Sequence, residues 1–575
     1  MAFKRNNNVI DGPGNNFATL NPLVGKTSHA NYVYGNLSLE HVSNGECFAL
    51  SSIKIPKTGK WYVELQMPSN GIFGITKEYI TSSGDTGKIF LGINEDGIKY
   101  QNGSNTQLGS EKGMGGGSGV AGLLIDPEAE TKNLRWFYSG NEVHFEDYDL
   151  KSDDFFVLIG KYSGGNNIIN FGQDHTFAGT KTDSAGFSPT DGSQGRFYYQ
   201  PPEGAKALCT ANLPSFDGNP QEHFRAVTYV GNGGEQTITT DMAADMLWIK
   251  ARDNNTRPAI WDSVRGKHNY LCTTDSFAQN TQASSGTEYP GDVEEFLQTG
   301  FKLKQSDAGL VNVSGDEVVA WCWKAGGGGG KYNIDGVPFA DFTDTGLTDG
   351  TIEPTGMSVN TKAGFSIVKW RGNGAPGSTY SHGLTKAPDI IITKAINADI
   401  WWNVYYIPEH IHGYLNETAK LSNTGREWFH NDTPPDEDLI TNGYDPGHNN
   451  GEHDYITYAW HSVPGYSSIG SYTGNGSADG PFVNCGFKPA FVMIKNTTNS
   501  NSWVIIDNQR SPFNPSHQAI RADSTGEEIT NQETNFGIDV LSNGFKPKTS
   551  GNENVNSNNA PSNKYIYMVF AEHSM

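Results

Sequence analysis

A pattern that recurs three times constrains this chain more than any other feature. Ala244-Asp245-Met246-Leu247-Trp248-Ile249-Lys250 matches Ala387-Pro388-Asp389-Ile390-Ile391-Ile392-Thr393-Lys394 and Lys488-Pro489-Ala490-Phe491-Val492-Met493-Ile494-Lys495. Each is an apolar strand closed by a lysine. Before each lies a strand ending in Gly-Asn-Gly: Gly231-Asn232-Gly233, Gly372-Asn373-Gly374 and Gly474-Asn475-Gly476. After each comes a strand that contains or follows a tryptophan (Trp261, Trp402, Trp503), and then a histidine (His268, His412, His517). An aromatic strand closes each copy, around Trp321, Trp460 and Phe570. The period, about 100 residues, far exceeds the 20–50 residues of solenoids and propeller blades. The expectation is three tandem domains rather than one closed array: modules at 223–325, 364–462 and 466–575, with a Gly/Thr/Asp-rich linker at 326–363. Strand spacing within each is that of a sandwich.

Composition supports an all-β reading. Glycine (69 of 575 residues) is poor in helices and good in turns, and 11 % aromatics argue against disorder. The formal charge of −22 excludes a broad basic surface for nucleic acid and disfavours anionic membranes. No apolar run is long enough for a membrane-spanning helix, and the first residues lack the apolar core of a signal peptide. Five scattered cysteines without a Cys-x-x-Cys spacing suggest neither a zinc site nor a disulfide framework. The glycine-rich stretch 113–119 lacks the Lys-Ser/Thr ending of a phosphate loop.

Residues 1–14 read as an N-terminal arm, and residues 15–215 as a separate run of short alternating strands. Gly59-Lys60-Trp61-Tyr62-Val63-Glu64, Gly71-Ile72-Phe73-Gly74-Ile75, the hairpin from Leu123 to Asn141 and Asn170-Phe171-Gly172-Gln173 follow in order. On these stretches the segment resembles the SPRY family, a concanavalin-like β-sandwich. The fold expected is therefore all-β, an SPRY-like β-sandwich followed by three related sandwich-like modules. The entry segment Asn16-Phe17-Ala18-Thr19-Leu20 and the exit Ala205-Lys206-Ala207-Leu208-Cys209 are similar to those of SPRY-like domains in tailed-bacteriophage tail proteins. The modules also resemble units of such proteins, the first most closely, through Trp261-Asp262-Ser263-Val264-Arg265-Gly266 and Ala320-Trp321-Cys322-Trp323. The resemblance implies a virion appendage of tail-fibre type, made in a host cytoplasm. It would attach to a host-surface receptor, a glycan or a protein, and assemble with other tail proteins, with a homotrimer plausible. The alternatives are a purely structural collar, baseplate or capsid-associated protein, or a polysaccharide-degrading tailspike.

No catalytic pair, cofactor site or metal motif stands out, and the expectation is a non-enzyme. Asp262/Arg265 and Asp507/Arg510 recur at i, i+3 and read as structural pairs pinning a strand end. With Lys250, Lys394, Lys495, Trp402 and Trp503 they mark the repeat. The loop from Trp428 to Asp454 is rich in histidine and acid but has neither calcium-loop nor His-Glu-x-x-His order. It reads as an exposed tip of the second module. The receptor-binding candidates are Trp401, Trp428, His430, Asp445, His448 and His453, because tryptophan can stack on a sugar ring and polar groups can hold its hydroxyls.

Overall fold

The computed structural model describes residues 16–21, 30–43, 45, 47–67, 71–77, 91–101, 104–109, 113–114, 119–151, 155–161, 166–280, 291–306, 309–327, 329–348, 350–425, 430–443, 445, 447–530, 536–548, 551–552, 554–557 and 563–572. The arm 1–14 lies outside them. The described residues form strands and short 3-10 turns, and the protein is all-β. The chain divides after Pro214 into two compact units.

The first unit is a two-sheet sandwich of eight and six strands. Lys60–Gln66, Val120–Ile125 and Leu134–Tyr138 lie side by side in one sheet; Gly71–Thr76 and Phe156–Lys161 pair in the other. Alternate residues point inward, as period-two geometry demands. Val63, Leu65, Leu123, Phe73, Ile75 and Ile159 share one core, crossed by the Trp136 indole donating to Phe73 O at 2.9 Å. Glu64, on the opposite face of its strand, is fully buried. It accepts from the Tyr198 and Tyr199 amides (2.7 and 2.9 Å) and from Asn170. Burial nonetheless pushes its carboxyl up to about 7.

The second unit departs from the expectation of separate tandem domains. Each module has one five-strand sheet with the same strand order: first, closing, second, third, fourth. In the first module these are Phe224–Val230, Glu317–Trp323, Met246–Ala251, Ala259–Asp262 and Tyr270–Cys272. One face of each sheet packs on the module's own smaller sheet. Leu247, Ile249, Val318 and Ala320 fill that core in the first module; Ile391 and Tyr455 in the second; Val492, Ile494 and Val569 in the third. The residues in between face elsewhere. Trp248, Val319, Trp321 and Trp323 of the first module join Ile392, Ile456, Tyr458 and Trp460 of the second and Phe491, Met493, Met568 and Phe570 of the third in one shared core. The modules are thus three sheets around a common centre. The reason is visible in the strands themselves, which are apolar on both faces, and a strand with two apolar faces needs two partners.

The ring closes by contacts that rotate from module to module. The Trp402 indole of the second module donates to Cys272 O of the first (2.8 Å), and Trp503 of the third to Tyr414 O of the second (3.0 Å). Thr273 Oγ1 of the first donates to Ala522 O of the third (2.7 Å).

The 326–363 stretch is not a bare linker. Tyr332–Ile334, Val337–Phe339 and Gly356–Asn360 extend the second module's sheet to eight strands. Tyr332, Met357 and Val359 are buried there, a pattern diluted in the sequence by the glycines around it.

Candidate functional site

The repeat markers are structural. Lys250, Lys394 and Lys495 are buried, and each ammonium caps loop carbonyls. Lys250 donates to Ala251 O and Asn254 O, and Lys394 to Ala395 O and Ala398 O. Lys495 reaches Asn501 O in its own module and Glu417 O and Thr418 O in the second. Burial pulls the three down, to about 8, about 7 and about 8 respectively.

The Asp–Arg pairs sit at the seams between modules. Arg265 Nε donates to Asp262 Oδ2 at 2.5 Å, and both meet Tyr458 of the second module, whose hydroxyl donates to Asp262 at 2.7 Å. Arg510 Nε donates to Asp507 Oδ2 at 2.5 Å, and the Trp321 indole of the first module donates to the same oxygen at 2.9 Å. Glu528 then bridges Arg510 (2.7 Å) and Arg252 of the first module (2.8 Å). The three recurrent histidines do not share a role. His268 faces Glu294 at 3.3 Å, His412 is buried beside Ser422, and His517 bonds Pro515 O.

The receptor-binding candidates gather on the second module. The two consecutive tryptophans, just before the strand Asn403–Tyr406, differ in burial. Trp402 is buried and anchored by its bond to Cys272 O, while Trp401 is 49 % exposed. The Trp401 ring meets Tyr414 edge to face, 4.7 Å between centroids at 70°. The Tyr414 backbone carbonyl accepts from the Trp503 indole of the third module.

Asp445 opens a tight turn. Its Oδ1 accepts from the Gly447 amide (2.6 Å) and lies 3.4 Å from His448 Nδ1, and its carbonyl accepts from the His448 and Asn449 amides. Burial works against ionisation, but the His448 and Gly447 contacts hold the carboxyl below its ordinary range. A Cβ on Gly447 would come 3.4 Å from Ile400, which places the turn against the residue preceding Trp401. Burial, then Asp445 and Glu417, push the Tyr414 hydroxyl up.

His453 lies at the rim, edge to face with Tyr455 at 6.5 Å; the Tyr455 hydroxyl donates to Gly447 O. His430 is a core residue, stacked on Tyr405 at 4.1 Å and 15°. Burial, followed by His448 and His412, drives it down to about 3. Trp428 lies outside the described residues. Among the described residues no group of three His, Cys, Asp or Glu is arranged to hold a metal ion. No described helix is long and apolar enough to cross a membrane.

Tyr414 was not singled out from sequence; its signal was its place one strand over from Trp401. A second feature also went unread. A cavity of about 290 Å³ opens between the first module and the 327–333 segment, lined by Asp245, Ser263, Lys267, Glu295, Asn333 and Ser358 among others. Asp245 at its floor is saturated, accepting from Ser263, Ser358 and the amides of Ala325 and Gly327.

A family model described as a domain of unknown function, DUF7483, matches residues 219–574, the span of the three-module ring. The chain belongs to the DUF7483 family. No curated protein matches it. Solved structures similar to the chain include the SPRY domain of human HERC1 (16 % identity, TM-score 0.22, covering 26 % of this chain and 96 % of that one). The TRIM65 PSpry domain is similar at 13 % identity and TM-score 0.22, covering 27 % and 90 %. A human SPRY domain is similar at 16 % and 0.21, covering 25 % and 94 %. The DUF7483 ring contains all the candidate residues named above.

Proposed function

We propose that this DUF7483 protein is a non-catalytic virion appendage of tail-fibre type that attaches to a glycan on the host surface. The reading joins the sequence resemblance to tail-protein modules with one structural observation, the half-exposed Trp401 packed edge to face on Tyr414. A flat indole face accepts the C–H face of a sugar ring. A ring already packed on a neighbour loses little side-chain entropy on binding. Single contacts of this kind are weak, and several copies on one particle raise the effective concentration. The first unit and the arm serve assembly with other tail proteins.

The test uses purified full-length protein and cells of the host. The protein should coat the cells and block adsorption of the virion, and Trp401→Ala should lose both effects while melting at the wild-type temperature. Wild-type protein that neither binds nor blocks at saturating concentration overturns the attachment role.

A further inference from the structure

We infer that the first unit forms an isopeptide bond between the Lys161 amine and the Asn167 side-chain amide, stapling the two sheets of its sandwich. Lys161 ends the strand Phe156–Lys161 of the six-strand sheet, and Asn167 lies in Asn166–Asn170 of the eight-strand sheet. Both are fully buried. Lys161 Nζ lies 3.3 Å from Asn167 Oδ1. The amide carbon is therefore within about 4.5 Å of the amine. Asn167 Nδ2 donates to Gly160 O at 3.2 Å, so the residue before the lysine holds the amide in place. Gly71 makes the room. It pairs with Lys161 across the sheet, and a Cβ there would collide with Met67 and come 3.2 Å from Asn167 Nδ2. On the other side of that strand Asn94 pairs with Ile72, and the next residue, Glu95, accepts from the Gly71 amide at 2.9 Å. Lysine, amide and carboxylate thus gather around one glycine. Burial lowers the Lys161 pKa against the opposing pull of Cys47 and Glu95. It thereby favours the neutral amine, which is the nucleophile. Groups held together in this way react without the entropic cost of an encounter.

In the reaction the bond between Lys161 Nζ and Asn167 Cγ forms, and the bond between Asn167 Cγ and Nδ2 breaks. Glu95 takes a proton from Nζ and returns it to Nδ2, which leaves as ammonia; nothing is oxidised or reduced. The product is a secondary amide joining one sheet to the other, independent of the chain between residues 161 and 167.

The experiment is mass spectrometry of the purified full chain, which should weigh one ammonia less than its sequence. After denaturation and a chymotryptic cut following Tyr162, the fragments carrying Lys161 and Asn167 should stay joined as one branched species. Lys161→Arg and Asn167→Ala should each show the full mass of their own sequence. Asn167→Asp should still link, losing water in place of ammonia. Glu95→Gln should leave most molecules unlinked. Wild-type chain at full sequence mass, with the two fragments separating, overturns the bond. So does an ammonia loss that persists in Lys161→Arg, because it marks an asparagine closing on its own backbone. A fully linked Glu95→Gln chain overturns the proton relay. Where a variant fails to fold, the wild-type digest decides alone.

Discussion

The three seams of the ring occupy corresponding places but are built from different chemistry. Asp262 and Arg265 of the first module meet Tyr458 of the second; Asp507 and Arg510 of the third meet Trp321 of the first. At the corresponding place the second module has Tyr406 and Glu409, and the closing strand of the third has Met568 where Tyr458 and Trp321 stand. Tyr406 and Met568 both belong to the shared core. Two seams therefore carry a buried Asp–Arg pair and one does not. Loss of the Asp–Arg pair goes with loss of its polar partner across the seam. This is the expected behaviour of buried ion pairs, where removing one member strands a charge but replacing the whole set by apolar groups costs little.

The comparison can be broken at its strongest point first. Asp507→Ala leaves Arg510 buried beside Glu528 alone and orphans the Trp321 indole. It should cost about 3–5 kcal/mol in urea unfolding. A loss under ~1 kcal/mol would show that the pair is incidental to the seam.

A smaller effect should separate the second module from the third under acid. Burial lowers His382 to about 4 and His430 to about 3, and also lowers His461; all three lie in the second module. Their folded pKa values are below the unfolded value of 6.5. The unfolded chain therefore takes up protons that the folded chain refuses. The stabilisation is full above pH 6.5 and drains away as pH falls toward about 4. The loss should be on the order of 1 kcal/mol or more for each of His382 and His430. Hydrogen exchange across this window should show strand Asp454–Trp460 of the second module loosening before Lys564–Ala571 of the third. Simultaneous loosening would mean that the shared core, not the histidines, sets the acid limit.

The smallest effect is the sharpest test. Replacing the whole polar set of the first seam, by Asp262→Tyr, Arg265→Met and Tyr458→Met together, should change stability by less than ~1.5 kcal/mol. A loss as large as that of Asp507→Ala would mean that the seams are not interchangeable.

Much of this was legible in the sequence, but not the ring. The repeated lysines, the closing aromatic strands and the sandwich architecture follow from local pattern. The shared core does not, although its sign was present: Val318-Val319-Ala320-Trp321-Cys322-Trp323 is apolar without alternation, the mark of a strand buried on both faces. The seam partners were out of reach because Asp262 and Tyr458 lie 196 residues apart. In the candidate site, the exposure of Trp401 could not be separated from the burial of Trp402 by residue type alone. His430 was misleading for the same reason, since a polar residue in a polar loop still stacks on Tyr405 in the core.

Tyr466 joins the two extremes of the second unit. It stacks on Phe216 at one end of the chain segment, and its carbonyl accepts from the Ala571 amide at the other. In topological terms the unit is a loop that has been cut once, with its two ends, Phe216 and Ala571, both at Tyr466. Evolution or an engineer could move that cut to another junction, such as residues 326–330, and every contact that turns around the centre would still find its partner.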